Sequence, residues 1–137
     1  MNESENACPF CDVQPDRIIA ENRLAFALLD KYPVSPGHLL VCPRRHVASF
    51  FELTPAETAA IFDLVHQAKS SCDGEHQPAG YNVGVNVGYA AGQTVMHVHV
   101  HLIPRYDGDV EDPTGGVRNV IPGKGNYLGF SVAGRTP

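Results

Sequence analysis

Three histidines occupy every second position in MHVHVHLIPR, residues 96–105: His97, His99 and His101, with Val98, Val100 and Leu102 between them. An ordinary imidazole has a pKa of about 6.5, so near neutral pH it can be a nucleophile, a proton carrier or a metal ligand. Residues i, i+2 and i+4 of a strand share a face. The spacing therefore sets the three rings in a row, about 6.6 Å apart, with Met96, Val98, Val100 and Leu102 turned to the core. Three readings of that row are open. It can be the polar side of a half-exposed strand. It can hold one metal through all three rings, as catalytic zinc sites do, although a straight strand lets only two converge. Or one imidazole can attack phosphorus and carry a covalent intermediate while a neighbour steadies the oxygens or moves a proton. Symmetry favours His99 as that nucleophile, because it has a partner on each side.

A second group with metal-ligand spacing is Cys8-Pro9-Phe10-Cys11. Zinc on two such thiolates needs two more ligands. A redox role needs a thioredoxin-like βαβ pattern, which is missing around it. The remaining alternative is a pair of reduced thiols. Cys42 and Cys72 stand alone and read as buried thiols.

The elements that must position these residues follow from local patterns. Residues 23–30 (RLAFALLD) and 37–43 (GHLLVCP) read as two strands across a Pro-containing loop. Residues 54–73 read as a helix: Thr54 and Glu57 make a capping box, Pro55 suits the first turn, and Ile61, Leu64, Val65 and Ala68 form one stripe. Gly74 is expected just past its end. YNVGVNVG (81–88) and TVMHVHVHLIP (94–104) read as a hairpin across the five-residue loop YAAGQ. That Gly-rich loop can bring backbone N–H groups to an anion. The tail from Arg105 is expected to be irregular, with one short strand near Val117–Ile121. Strands, one helix, then strands indicate an α+β fold with a mainly antiparallel sheet.

The whole chain, 137 residues with 43% hydrophobic content, reads as one domain, residues 1–137, with its core in about 8–104 and the tail in about 105–137. A net charge of −5 argues against a nucleic-acid surface. No run is long and apolar enough to span a membrane, and MNESENACPFC lacks the features of a signal peptide. The expected setting is the reducing cytoplasm. Arg44, Arg45 and Arg105 are candidates for steering an anionic ligand, beside the bland reading of solvated surface charge.

The motif His97-x-His99-x-His101 followed by two apolar residues resembles the signature of the histidine triad (HIT) family of nucleotidyl hydrolases and transferases. The likeness runs through GQTVMHVHVHLIPR and back to FALLDKYPVSPGHLLVCPRRH, about residues 8–104. The tail YDGDVEDPTGGVRNVIPGKGNY is similar to bacterial members near the fragile-histidine-triad and dinucleoside polyphosphate hydrolase branch. It lacks the Gly-Gly that follows the triad in the phosphoramidate-hydrolysing branch. The resemblance implies a HIT-like fold of about five antiparallel strands and one main helix, in a homodimer whose sheets join edge to edge.

For function, the resemblance implies an enzyme. It would cleave dinucleoside polyphosphates of the Ap3A or Ap4A type at the α-phosphate through a covalent nucleotidyl-histidine, releasing AMP. The alternatives are a nucleoside phosphoramidase and a nucleotide-binding module with little turnover. Residue by residue, it implies His99 as nucleophile, His101 on the phosphate and bridging atom, and His38 of the PGH stretch setting tautomers. It implies Asp30 on the ribose hydroxyls, and Asn86, Gly92, Gln93 and Thr94 around the phosphate. The base would lie near Phe10, Leu28 and Val13. On residue type alone, Asp30 and His38 are equally turn residues. The resemblance also implies a structural zinc on Cys8, Cys11, His46 and His97; on residue type alone, His66 and His76 are alternative ligands, with no motif around either. His97 would then anchor the N-terminal segment, and His99 and His101 would do the chemistry.

Overall fold

The computed structural model describes residues 8–135. Along the chain come β1 (Ile18–Glu21), β2 (Ala25–Leu29), β3 (Leu39–Pro43), α1 (Pro55–His76), β4 (Gly80–Val85) and β5 (Val100–Arg105). The strands form one sheet in the order β1-β2-β3-β5-β4, every neighbouring pair antiparallel. This is an α+β fold with five antiparallel strands and one main helix.

β2 and β3 carry apolar residues in both phases of the alternation, so both faces of the sheet need cover. On one face Ala25, Ala27, Leu39, Val41, Val100 and Leu102 pack against Ile61, Leu64, Val65 and Ala68 of α1. Burying Ile61 and Leu64 stabilises the fold by about 1.5–3 kcal/mol each. On the other face Phe26, Leu28, Leu40 and Cys42 are covered by Phe10, Val13 and Ile18. The helix covers one side and the N-terminal segment the other, and the candidate chemistry lies on the second side. The pairing Leu28↔Leu40, Leu40↔His101 and His101↔Gly84 runs straight across it.

α1 begins as its sequence predicts. Glu57 N–H donates to Thr54 Oγ1 (3.1 Å) and Thr54 N–H donates to Glu57 Oε1 (2.9 Å), with Pro55 in the first turn. Arg45 then grips the same carboxylate through Nε (3.0 Å) and a terminal nitrogen (2.9 Å). That pair pulls the Glu57 pKa down to about 2. It also pins the loop after β3 to the helix cap and so fixes the residue that follows, His46.

Four expectations are corrected. α1 runs through Gly74 to His76 and ends on Gln77 in the left-handed conformation (φ 53°). A helical glycine costs only about 1 kcal/mol, and the Lys69–Asp73 pair (2.6 Å) with the Tyr81 hydroxyl donating to Asp73 (2.7 Å) supports that turn. β1 is an extra strand, with an irregular register between Ile18 and Ala20. The expected hairpin does not close at residues 89–93, because β4 stops at Val85 and β5 starts only at Val100. Val98 N–H donates to Val47 O (2.8 Å) and not to β4, so residues 94–99 leave the sheet. Residues 117–121 hold no strand; Gly116–Val120 is a 3₁₀ turn.

Candidate active site and metal centre

The departure of residues 94–99 from the sheet divides the histidine row. His97 is completely buried and His99 and His101 are half-buried. Val98, Val100 and Leu102 do point into the core, whereas Met96 is only partly buried.

His97 turns toward the N-terminal segment. Its Nδ1 lies 3.4 Å from Cys8 Sγ, 3.6 Å from Cys11 Sγ and 3.3 Å from His46 Nδ1, and Cys11 Sγ lies 3.2 Å from His46 Nδ1. All four ligand atoms fall within 4.8 Å of one another. Tetrahedral zinc, with bonds of about 2.3 Å to sulfur and about 2.05 Å to nitrogen, sets sulfur and nitrogen about 3.5 Å apart and two nitrogens about 3.3 Å apart. The cluster has that spacing. Its polarity also fits: the His97 Nε2–H donates to Pro43 O (2.8 Å), which leaves the lone pair on Nδ1, facing the sulfurs. A backbone carbonyl on the outer nitrogen is how metal-bound histidines are commonly oriented. The donor set Cys₂His₂ is one that structural zinc takes. His66 is exposed on α1, and His76 packs beside Gly37 and Cys72; neither joins the cluster. Cys42 and Cys72 are buried thiols, and burial pushes the Cys42 pKa up.

His99 and His101 line a cleft of about 430 Å³ with Phe10, Asp30, His38 and Leu40. His99 Nδ1–H donates to the carbonyl of His97 (2.8 Å). Its Nε2 therefore keeps the lone pair. Phe10, seated between the two cysteines, packs against the His99 ring at a centroid distance of 5.1 Å.

A second chain of contacts sets the neighbouring ring. Val34 N–H donates to His38 Nδ1 (3.1 Å), so the proton of neutral His38 is on Nε2. That N–H donates to His101 Nδ1 (2.9 Å), with Asp30 Oδ2 also near at 3.4 Å. His101 then carries its own proton on Nε2. Both rings are held neutral. Burial lowers the His38 pKa against the pull of Asp30. Burial first, then the neighbouring His99 and His38, lowers that of His101 to about 4. Asp30, His38 and His101 could also be read as a metal cluster, but 2.9 Å between two imidazole nitrogens is hydrogen-bond spacing, shorter than a shared zinc allows. No single metal gathers the triad, since His97 and His101 fall in separate clusters and His99 in neither.

The other expected residues divide. Asn86, Gly92 and Thr94 line the cleft. Gln93 does not: it is buried, accepts from Gly88 N–H (2.9 Å) and donates to Ala48 O (2.8 Å) and Val95 O (3.1 Å). It shapes the loop and offers the cleft no donor. Leu28 is completely buried behind the cleft wall, and Leu40 takes the place facing the cavity. Val13 packs in the same buried cluster. Arg44, Arg45 and Arg105 are paired with Glu21, Glu57 and Asp109, away from the cleft. The cations that do line it are Arg17 and Lys31, and exposed Tyr32 stands at its mouth. No spacing or motif marks Arg17; Lys31 and Tyr32 are marked only by following Asp30.

Residues 12–108 match the HIT domain. This chain belongs to the HIT family. Its match to the AP-4-A phosphorylase of Mycobacterium tuberculosis is 39% identical over 93 residues, 67% of this chain and 48% of that protein. The match to the bis(5'-nucleosyl)-tetraphosphatase [asymmetrical] of Schizosaccharomyces pombe is 35% identical over 96 residues, 70% of this chain and 53% of that one. The matched region thus spans about half the length of these two HIT relatives. The crystal structure of a Zn-bound histidine triad family protein from Mycobacterium smegmatis is similar with a TM-score of 0.70 at 30% identity, covering 77% of this chain and 80% of that one.

Proposed function

We propose that this HIT protein is an enzyme that cleaves dinucleoside polyphosphates at the α-phosphate and releases AMP. The observation that carries the reading is the pair of opposed tautomers in one cleft: a lone pair on His99 Nε2 beside a donor on His101 Nε2. Phe10, Leu40 and Tyr32 offer apolar and aromatic surface to a base, and Asp30 offers carboxylate oxygens to ribose hydroxyls. Asn86, Thr94 and the backbone at Gly92 are the polar groups for phosphate oxygens.

In the proposed step His99 Nε2 attacks the α-phosphorus. The N–P bond forms as the bond to the bridging oxygen breaks, and the remaining polyphosphate leaves with the electron pair. The His101 Nε2–H hydrogen-bonds the phosphate as charge builds up. Water then displaces His99 from phosphorus, giving AMP and returning a proton to solvent; phosphate as acceptor would give ADP instead. A phosphate chain departs as an anion, whereas an amine must be protonated to leave. A His101 held neutral at pH 7 favours the first. The two curated relatives named above support the same substrate class.

The finer parts of the reading have separate support. Zinc on Cys8, Cys11, His46 and His97 is supported by the donor set and its spacing, and would cross-link the N-terminal segment to the body of the fold. A homodimer is supported by the open edge of β4, where Val83 is exposed. Among the described residues no helix is long and apolar enough to cross a membrane, in keeping with a cytoplasmic enzyme of one domain.

The test is product analysis with diadenosine tri- and tetraphosphate and with an AMP–amine conjugate, beside a His99→Ala control. AMP from the polyphosphates, lost in the variant, supports the proposal. Preference for the conjugate makes the protein a phosphoramidase. AMP binding with no turnover makes it a nucleotide-binding module.

A further inference from the structure

We infer that the leaving half of the substrate, a nucleoside on its phosphate chain, occupies a second cleft that continues the first along β5 under the C-terminal segment. The inference rests on the proposed cleavage at His99.

The second cleft, about 480 Å³, is lined among others by Val34, Ser35, Asn82, Ile103, Arg105 and Val110. Val34 also lines the first cleft, so the two share a wall. Both stand on one face of the sheet. His101 pairs with Gly84, Ile103 with Asn82 and Arg105 with Gly80. Because strand residues alternate, His101, Ile103 and Arg105 point the same way, as do Gly84, Asn82 and Gly80 beside them. The two steps from His101 to Arg105 cover about 13 Å.

The direction follows from the chemistry. In a phosphoryl displacement the attacking and leaving atoms lie roughly in line across phosphorus. With His99 attacking, the leaving oxygen points away from His99, over His101 and toward Ile103. Gly84 lies on the chain between Asn86 of the first cleft and Asn82 of the second. A Cβ placed on Gly84 would have no heavy atom within 4 Å, and its backbone is not in the left-handed region. Neither a crowded neighbour nor an unusual turn requires glycine at this point in the strand, yet a side chain there would stand in the path between the clefts.

The lining indicates what lies at the far end. Arg105 is engaged by both oxygens of Asp109 (2.7 and 2.9 Å) and by Asn82 Oδ1 (2.6 Å), and the cleft also holds Asp112. Two carboxylates against one cation make a poor seat for phosphates. Val34, Ile103 and Val110, with the side-chain NH2 of Asn82, suit an uncharged base and ribose. The phosphates would cross near Gly84, and the second nucleoside would lie beyond.

The experiment compares two substrates that share AMP and differ in what leaves: diadenosine tetraphosphate, and adenosine 5′-phosphofluoridate, whose leaving group is fluoride. Gly84→Val obstructs the passage, and Val110→Trp fills the cleft from the tail side, away from His101. We expect the ratio of kcat/KM for the tetraphosphate to that for the phosphofluoridate to fall at least tenfold in each variant. A ratio that stays within twofold of the unmutated protein in both variants, whether the two rates fall together or not at all, overturns the second cleft. Failure of the unmutated protein to turn over either substrate overturns the cleavage reading itself, and the two results are distinct.

Discussion

His97 and His101 lie four residues apart and share a side-chain type, but they sit in opposite kinds of environment. His97 is enclosed, one nitrogen on a carbonyl and the other on two sulfurs and a second imidazole. His101 is half-buried, one nitrogen on His38 and the other available to a cleft. The motif supplies only spacing. What each ring can do is decided by the residues that approach it: Cys8, Cys11 and His46 for one, His38 and Asp30 for the other. His99, between them, draws on both sides, taking its tautomer from the His97 carbonyl and a ring neighbour from His101 (5.2 Å).

The contrast can be broken at several points. His99→Ala should reduce kcat by at least about 10³-fold while AMP still binds, since a nucleophile has no substitute nearby; steady-state kinetics beside calorimetric AMP titration would show it, and near-normal turnover would remove His99 from the role. His38→Ala should cost about 10²-fold in kcat with little change in KM, because His101 loses the partner that sets its tautomer. Equal losses in kcat/KM through KM alone would argue for a binding role instead. Cys8→Ser should abolish stoichiometric zinc and lower the Tm by roughly 10 °C, corresponding to about 3 kcal/mol, read by metal analysis and calorimetry. An unchanged Tm with zinc lost would make the cluster energetically idle.

Acid sharpens the comparison. The folded His101 binds its proton with a pKa of about 4, below the roughly 6.5 of an unfolded histidine. Its contribution to stability is thus complete above about pH 6.5 and is lost as pH falls from there toward 4. Protonation also puts a second hydrogen against the His38 N–H and breaks the pair. The Tm should therefore drop between pH 6.5 and 4, and less steeply in His101→Gln; parallel curves would refute the linkage. The smallest effect is expected from Arg45→Ala. This side chain is half-exposed, so solvent screens its pair with Glu57, and only a small fall in the urea midpoint is expected.

How far the molecule is legible from its sequence depends on how local each determinant is. α1 is legible at its start because Thr54, Pro55 and Glu57 act within one turn. Its end is not, because it depends on Asp73 meeting Tyr81 of β4. β1 is four residues long and owes its place to pairing with β2, so IIAE alone says little. The alternation in 96–105 marks the core residues Val98, Val100 and Leu102. It cannot show that His97 turns out of the row, which depends on Val98 bonding Val47 some fifty residues back. The Cys-x-x-Cys spacing names two ligand candidates, and resemblance names His46 and His97. Arg17 and Lys31 escape notice, since only the fold brings them to the same cleft as His99.

One peptide unit joins the two environments: the carbonyl of His97 receives the His99 N–H, while the ring of His97 belongs to the cluster. With a metal in place, that link would tie the orientation of the nucleophile to the anchoring of the N-terminal segment. Stripping the metal with a chelator is then expected to lower specific activity, and refilling the clusters to restore it.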